Sequence, residues 1–267
     1  MFTVNVFDQV ATIVMRSPPV NALSEAWVVD FLRIIDEIAE RQDWKVLHVR
    51  SDQKAFCAGA DLKEMRARFD AADGPNRTYA YVATIQRLFA RIETLPQVTL
   101  AEIGGAALGG GFELALACDL RIAAAEAKVG LPEVKLGLIP GAGGTQRLTR
   151  LVGRGLANRM ILTAETVDGM TAERLGIVQW CCPKSELAPR AADIARRIAA
   201  LPRAALAAAK LCVASAGKPG RGGFGDELEA TYRLQTDPET RQRAGPFSRV
   251  LGSDDRKHRR QRWSLQA

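Results

Sequence analysis

Short apolar runs and longer helical segments alternate along the first three-quarters of the chain. FTVNVF and VATIVM flank Asp8 and Gln9 with the two-residue alternation of strands, which predicts a β-hairpin. Ser24 stands before the next segment as an N-terminal cap, with Glu25 in the first turn, and predicts a helix to about Arg41.

Further strands and helices follow in the same order. The runs KVLHVRS, VTLAEI, DLRIAA and IVQWCC predict buried strands. Helices are predicted from near Asp61, over about 79–94, after the glycines at 109–111, from near Gly144, and over TAERLG, and residues 69–78 predict a polar turn. This repeated succession is typical of an α/β domain with largely parallel strand pairing.

The last quarter of the chain has a different pattern. From about residue 186 only helical periodicity remains, with breaks at Pro202 and in GKPGRGG, residues 217–223. We therefore predict an α/β core over residues 1–195 and a helical C-terminal module over residues 196–267.

Composition is that of a globular protein. The chain has 267 residues, of which 47% are hydrophobic and 25% charged. The start, MFTVNVFDQV, lacks the features of a secretory signal, and no run is long and apolar enough to predict a membrane span. Five cysteines, an odd and sparse number, favour reduced thiols and a cytoplasmic location.

The net charge of +7 is concentrated at one end. Residues 241–262 carry eight Lys or Arg against two Asp, so the rest of the chain is nearly neutral. A basic tail that is solvated or contacts another subunit is therefore favoured over a polyanion contact, and nucleic acid is not an expected partner.

Histidine is scarce, which restricts the chemistry. The only two, His48 and His258, lie in a strand-like run and in the basic tail. A Ser-His-Asp triad or a histidine-rich metal site lacks the necessary residues, and no metal site is predicted. The expected chemistry therefore relies on carboxylates and backbone groups.

Three consecutive glycines open a predicted helix in GAALGGGFELALACD, residues 105–119. Glycine there lets backbone N–H groups approach a ligand closely, and a helix N-terminus favours anions. A phosphate loop would need a following lysine, and the spacing does not fit a dinucleotide fingerprint. An anion or oxyanion site is one interpretation, and tight helix–strand packing is the other.

A second loop of this kind and two glutamates extend the hypothesis. FCAGAD, residues 56–61, also places small residues between a strand and a helix, so each loop can donate one N–H to the same oxygen. Glu113 follows the glycines, and Glu133 stands in GLPEVKLG. Carboxylates of raised pKa beside an oxyanion site suit proton transfer next to a carbonyl. The alternative for Glu113 is an acid that only complements the helix dipole. The alternative for Glu133 is a surface acid paired with Lys135.

Taken together, these motifs resemble those of the crotonase superfamily, the enoyl-CoA hydratase/isomerase group. The resemblance runs through KAFCAGADLKEM (54–65), the glycine motif with GLPEVKLGLIPGAGGTQRL within 104–153, and LTAETVDGMTAERLGIV (162–178), and spans residues 2–235. It implies a spiral of ββα units with a helical C-terminal trimerisation module, usually in a dimer of trimers.

The resemblance also implies roles for four residues. The N–H groups of Ala60 and Gly110 would form the oxyanion hole for a thioester oxygen. Glu113 and Glu133 match the two catalytic glutamates of hydratases, which add water across the C2=C3 bond of a 2-enoyl-CoA. No cofactor is expected, because coenzyme A is part of the substrate. Fatty acid β-oxidation is the expected setting.

The coenzyme A moiety is expected along the 56–65 loop. By resemblance, Ala58, Asp61 and Leu62 would lie near the adenine, and Lys63 and Arg16 would contact phosphate, unless those two are plain surface charges.

Other readings of the resemblance stay open. LGGGFELALACDLR is especially similar to methylglutaconyl-CoA hydratases, so a branched substrate is one alternative. Isomerases commonly lack the acid after the glycines, so Glu113 favours hydration. A non-catalytic CoA- or RNA-binding member is the alternative from another class. The helix over 24–41 carries five acids and two arginines, which gives RNA binding no support. After LQTDPET the chain departs from the family pattern.

Overall fold

The computed structural model describes residues 1–216 and 223–244. Most of the basic tail, and residues 217–222 of the predicted break, lie outside the described residues. The strands are β1 (Phe2–Phe7), β2 (Val10–Met15), β3 (Val46–Ser51), β4 (Val98–Ile103), β5 (Ala107–Leu108), β6 (Leu120–Ala124), β7 (Lys128–Gly130), β8 (Thr166–Asp168) and β9 (Trp180–Cys182).

Helices separate and follow these strands. They are α1 (Glu25–Ala39), α2 (Leu62–Phe69), α3 (Gly74–Glu93), α4 (Gly110–Ala117), α5 (Gly144–Leu162), α6 (Gly169–Arg174), α7 (Lys184–Ala199), α8 (Arg203–Ser215) and α9 (Gly223–Leu234), with a short 3-10 helix over Glu133–Leu136.

The main sheet has six strands in the order β1-β2-β3-β4-β6-β9. Only the β1–β2 hairpin is antiparallel, and the other four pairs are parallel. All six residues of β4 are buried, as expected for a strand at the centre of a sheet covered on both faces. The predicted α/β architecture with largely parallel pairing is confirmed.

Aromatic packing fixes the first hairpin against α1. The rings of Phe2, Trp27 and Phe31 pack against one another, with centroid distances of 4.9 to 5.1 Å. Ser24 caps the helix as predicted, because its side chain accepts a hydrogen bond from the Trp27 N–H. The helix ends at Ala39, two residues before the predicted end.

Two features of the fold differ from the sequence prediction. Residues 69–78 were predicted as a turn, but α3 already begins at Gly74, with a proline in its first turn where a missing N–H costs no helical bond. A second, three-stranded sheet of order β5-β7-β8 was not predicted. Its strands have only two or three residues each, too few to show a strand period.

The chain divides into two compact units, Met1–Ala200 and Leu201 onward. The predicted boundary at residue 195 falls inside α7, which continues to Ala199. Within the described residues, no single helix is long and apolar enough to cross a membrane. One pair of consecutive helices, α7 with α8, reaches that threshold jointly, by length and composition only.

A buried arginine closes the C-terminal end of α4. Arg121 donates to the carbonyl oxygens of Ala115 at 3.3 Å and Cys118 at 2.7 Å, and also to Ile177 at 2.8 Å. The Cys118 carbonyl lies where a helix end leaves acceptors without an intrahelical donor, and Arg121 supplies that donor. Arg121 therefore holds α4, and with it the glycines at the opposite end of that helix.

We predict that Arg121→Met lowers the free energy of unfolding by about 3 kcal/mol, because buried carbonyls lose their donors while the alkyl volume is kept. Urea denaturation at fixed protein concentration measures this change. The exposed Arg150 on α5 provides the control Arg150→Met, which should change the free energy by less than about 0.5 kcal/mol. Equal effects of the two variants would contradict this role of Arg121.

Candidate active site

Two glycine-containing segments lie side by side at one end of α4. Cys57 and Ala107 form a parallel bridge, in which the Leu108 N–H donates to the Cys57 carbonyl at 3.1 Å. A Cβ on Gly111 would lie 2.0 Å from that same carbonyl oxygen. The two segments can therefore approach this closely only because residue 111 has no side chain.

Leu23 lies on the other side of the segment that contains Cys57 and Gly59. The Leu23 N–H donates to the Gly59 carbonyl at 2.8 Å, and the Asp61 N–H donates to the Leu23 carbonyl at 3.3 Å. Because its two neighbours make both bonds, the N–H of Ala60 points away from Leu23. Among the described residues, no acceptor bonds the N–H of Ala60 or of Gly110.

These two N–H groups belong to neighbouring backbones. A Cβ on Gly59, whose φ is +95°, would lie 3.6 Å from the Gly110 nitrogen. Gly110 begins α4, so its N–H is one of those that a helix leaves without an intrahelical acceptor. The arrangement places two unpaired backbone donors and the positive end of a helix close together, which suits an oxyanion.

Tyr81 and Arg68 hold the backbone of Leu23 in place. The Tyr81 hydroxyl donates to the Leu23 carbonyl, and burial raises the pKa of Tyr81, which keeps that donor protonated. The guanidinium of Arg68 lies 4.1 Å from the centre of the Tyr81 ring and pairs with Glu25 at 2.9 Å. The support therefore extends from α3 to α2 and α1.

The Glu113 carboxyl is buried in the first turn of α4, with 3% of the residue exposed. Its Oε1 accepts hydrogen bonds from the N–H of Ala142 at 2.8 Å and of Gly144 at 2.7 Å. A Cβ on Gly144 would lie 2.9 Å from that oxygen, so glycine is needed there. The other oxygen, Oε2, would lie 3.8 Å from a Cβ on Gly110 and faces the same helix start.

Glu133 reaches the same helix start from the 3-10 helix. A Cβ on Gly109 would lie 3.0 Å from Glu133 Oε1, so the carboxyl sits over the glycine that precedes α4. Glu133 Oε2 is buried and has no hydrogen-bond partner among the described residues. The structure thus brings both predicted glutamates and both predicted N–H donors to the N-terminal end of α4.

Burial changes the proton affinity of both carboxyls. Desolvation raises the pKa of Glu113 to about 7, the negative charge of Glu133 adds to the rise, and the two N–H donors and Arg147 oppose it. Desolvation also raises the pKa of Glu133 above its ordinary value. Glu113 can consequently exchange a proton near neutral pH, and Glu133 holds its proton to a higher pH than an exposed glutamate does.

Comparison with known proteins places the chain in a family. Residues 6–237 match the sequence profile of the family described as enoyl-CoA hydratase/isomerase. The chain belongs to this family. YngF of Bacillus subtilis strain 168, provisionally named an enoyl-CoA hydratase/isomerase, is 42% identical over 216 residues, which are 80% of each chain.

Other members of the family share the sequence and the fold. The mitochondrial methylglutaconyl-CoA hydratase of Mus musculus is 38% identical over 198 residues, which are 72% of this chain and 62% of that protein. The solved enoyl-CoA hydratase of Bacillus anthracis superposes with a TM-score of 0.86 at 34% identity, covering 93% of this chain and 96% of that one. The crotonase fold predicted from the motifs is confirmed.

The residues that the family resemblance assigns to coenzyme A surround the start of α2. Leu62 is 64% exposed, whereas Asp61 uses its carboxylate to cap α2 by accepting from the N–H groups of Lys63 and Glu64. The Ala58 N–H donates to the Val20 carbonyl at 3.0 Å. The contacts of these residues with coenzyme A stay a prediction.

Arg16 occupies a different environment from the α2 residues. Its guanidinium pairs with Asp52 at 2.5 Å, and 55% of its side chain is exposed. A phosphate contact from Arg16 would therefore compete with this ion pair, and that contact also stays a prediction.

Sequence reasoning missed the residues that hold Glu113. Ala142 and Gly144 donate to its carboxyl, but for this segment only a helix start near Gly144 was predicted. The signal that could have found them is the glycine-rich GAGG immediately before α5, which repeats the pattern of glycines before α4.

We predict that the free energy of unfolding of Glu113→Gln increases relative to that of the wild type as the pH rises. Between the ordinary pKa of 4.5 and about 7, the folded wild type keeps a proton on Glu113 that the unfolded chain releases. The wild-type free energy of unfolding therefore falls across this window, by roughly 3 kcal/mol relative to the variant. Denaturant unfolding at pH 5 and pH 8 measures the difference.

The exposed Glu40 at the end of α1 provides the matched control. Glu40→Gln should keep the same offset from the wild type at both pH values. A Glu113→Gln offset that is equally independent of pH would show that Glu113 is not protonated near neutrality.

Proposed function

We propose that the protein is an enoyl-CoA hydratase, which adds water reversibly and in syn geometry across the C2=C3 bond of a 2-enoyl-CoA. The observation that carries the proposal is the placement of Glu113 and Glu133 beside the unpaired N–H groups of Ala60 and Gly110. Family membership supplies the substrate class, an acyl-CoA thioester.

The two N–H groups would bind the thioester oxygen. Their hydrogen bonds strengthen as charge develops on that oxygen, so they stabilise the enolate more than the ground-state carbonyl. Polarisation of the carbonyl also withdraws electrons from the conjugated double bond, which makes C3 electrophilic. In this proposal Ala60 and Gly110 thus supply both activation and stabilisation.

The glutamates would divide the proton transfers between them. Glu113 accepts a proton from water while the water oxygen forms its bond to C3, and the π electrons move to the thioester oxygen. Glu133 then gives its proton to C2 as the enolate collapses to the saturated 3-hydroxyacyl-CoA. The reverse reaction exchanges the two roles. The raised pKa of both carboxyls supports this division, because burial makes each carboxyl a better proton acceptor than an exposed glutamate.

We propose no metal or redox cofactor, because every step moves only protons and the electrons of the substrate. Coenzyme A enters as part of the substrate. A cytoplasmic location also stays a proposal, supported by five cysteines of which none forms a disulfide in the described residues.

We predict that Glu113→Gln and Glu133→Gln each lower kcat for hydration of a short 2-enoyl-CoA by about 10²- to 10⁴-fold, because each removes one positioned proton-transfer group. Loss of the absorbance of the conjugated thioester follows the reaction. The control Glu40→Gln should keep wild-type activity. Full activity in both active-site variants would refute the mechanism and favour a non-catalytic CoA- or RNA-binding role.

Isomerisation is the main alternative reaction of the site. Moving a double bond from C3=C4 to C2=C3 takes a proton from C2 and returns one to C4, which needs one carboxyl and the oxyanion hole, so Glu133 alone could perform it. A 3-enoyl-CoA offered to Glu113→Gln separates the two activities. Retained isomerisation with lost hydration would assign Glu113 to water, whereas isomerisation as the only wild-type activity would overturn the hydratase proposal.

A branched acyl group is a second candidate for the substrate. The 38% identity with the mouse methylglutaconyl-CoA hydratase supports a branched substrate that carries a carboxylate. A panel of straight, branched and carboxylated enoyl-CoAs, compared by kcat/KM, distinguishes a fatty-acyl substrate from an amino-acid-derived one. A preference of tenfold or more for one class identifies that substrate class.

We further propose that the protein forms a homo-oligomer, either a trimer or a dimer of trimers, through its second unit. That unit carries apolar side chains that are 62 to 82% exposed within one copy, namely those of Leu211, Val213, Phe224, Leu228 and Tyr232. Apolar exposure of this extent marks protein contacts. Analytical ultracentrifugation gives the number of copies, and a monomer at micromolar concentration would contradict the proposal.

A further inference from the structure

One arginine outside the proposed machinery is bonded to the loop that holds Glu113. Arg147 lies in the first turn of α5, and its Nη1 donates to the Ala142 carbonyl at 2.9 Å. The N–H of the same residue, Ala142, donates to Glu113 Oε1 at 2.8 Å. A single loop residue therefore links the guanidinium to the carboxyl.

The guanidinium is itself fixed in place from the other side. Its Nε and Nη2 donate to Glu93 Oε2 at 3.1 and 2.8 Å, and only 11% of the Arg147 side chain is exposed. A Cβ on Gly143 would lie 2.2 Å from Nη1, so the loop admits the guanidinium only because residue 143 is glycine. Every arm of the Arg147 fork thus has a partner, which limits its rotation.

We propose that Arg147 is a positioning residue, which holds the Ala142–Gly144 backbone so that its two N–H groups present Glu113 to the substrate water. The proposal rests on the proposed hydratase function for its catalytic meaning. The contacts that carry it are those of Nη1 with the loop and of the loop with Glu113 Oε1.

The positive charge of Arg147 lowers the pKa of Glu113, as do the N–H donors of the loop that Arg147 holds. The charged groups that affect Glu113 are Glu133, which raises the Glu113 pKa, and Arg147, which lowers it. Glu93 pairs with Arg147 and reduces the positive charge that reaches the carboxyl. Loss of Arg147 should therefore raise the pKa of Glu113, both by removing a cation and by loosening the N–H donors.

A solvent-open cavity of about 240 Å³ adjoins this arginine and gives access to its position. The residues around the cavity include Arg147, its partner Glu93 and the exposed Arg150 from the same helix. A small cation can thus reach the position of the guanidinium if the side chain is shortened. Arg150→Ala provides a matched control, because Arg150 lines the same cavity and no hydrogen bond joins it to the 141–144 loop.

The experiment compares Arg147→Ala, Arg147→Lys and Arg150→Ala in hydration of a short 2-enoyl-CoA across pH. We expect Arg147→Ala to lower kcat by about ten- to hundredfold with little change in KM, as misplacement of one catalytic group does. We also expect the acidic limb of the kcat/KM profile to move to higher pH. Lysine should restore part of kcat, because it keeps the charge but not the fork.

Added guanidinium ion, far below unfolding concentrations, gives a third readout. It should raise kcat of Arg147→Ala and leave the wild type and Arg150→Ala unchanged. An Arg147→Ala variant as active as Arg150→Ala would overturn the proposal. So would a loss of activity that is parallel at all pH values and is not restored by guanidinium, since that pattern indicates a purely structural role.

Failure of the hydratase proposal is separable from failure of this one. If the wild type hydrates no enoyl-CoA, the coupling between Arg147 and Glu113 is still measurable without substrate. Unfolding free energies of the wild type, Arg147→Ala, Glu113→Gln and the double variant form a cycle at pH 5 and pH 8. A coupling energy that changes with pH supports the proposal, and one that is zero at both pH values overturns it.

Discussion

The candidate active site depends on the close approach of two backbones, at residues 57–60 and 107–111. Side chains normally keep neighbouring segments apart, but a Cβ on Gly111 would lie 2.0 Å from the Cys57 carbonyl oxygen, so only glycine permits this contact. The contact makes the backbones that carry the N–H groups of Ala60 and Gly110 neighbours. The other groups of the site, including the carboxyls of Glu113 and Glu133, are arranged around this junction.

Much of the fold could be predicted because the residues that determine it are close together in the sequence. Ser24 and Asp61 each accept from N–H groups two or three residues ahead, so the caps of α1 and α2 follow from neighbours in the sequence. The parallel sheet followed from the succession of apolar runs and helices, and the glycines before α4 indicated exposed backbone donors. The family resemblance then paired Glu113 with Glu133, which chemistry alone had left as one of several interpretations.

What escaped prediction depends on contacts between distant positions. The donors that hold Glu113 lie 29 and 31 residues further along the chain, and the Tyr81 hydroxyl bonds a carbonyl 58 residues before it. Neither spacing has a periodic signature, because each contact exists only after the sheet has brought its elements together. The strands β5, β7 and β8 were missed for a related reason, since two or three residues cannot display alternation.

The buried Oε2 of Glu133 has a consequence for affinity as well as for proton transfer. It has no hydrogen-bond partner among the described residues, and a buried polar atom without a partner costs about 1 to 3 kcal/mol. A ligand group that bonds this oxygen removes the cost on binding, which corresponds to roughly ten- to hundredfold tighter association. The folded chain therefore carries a built-in preference for ligands that place a hydrogen-bonding group against Oε2 of Glu133.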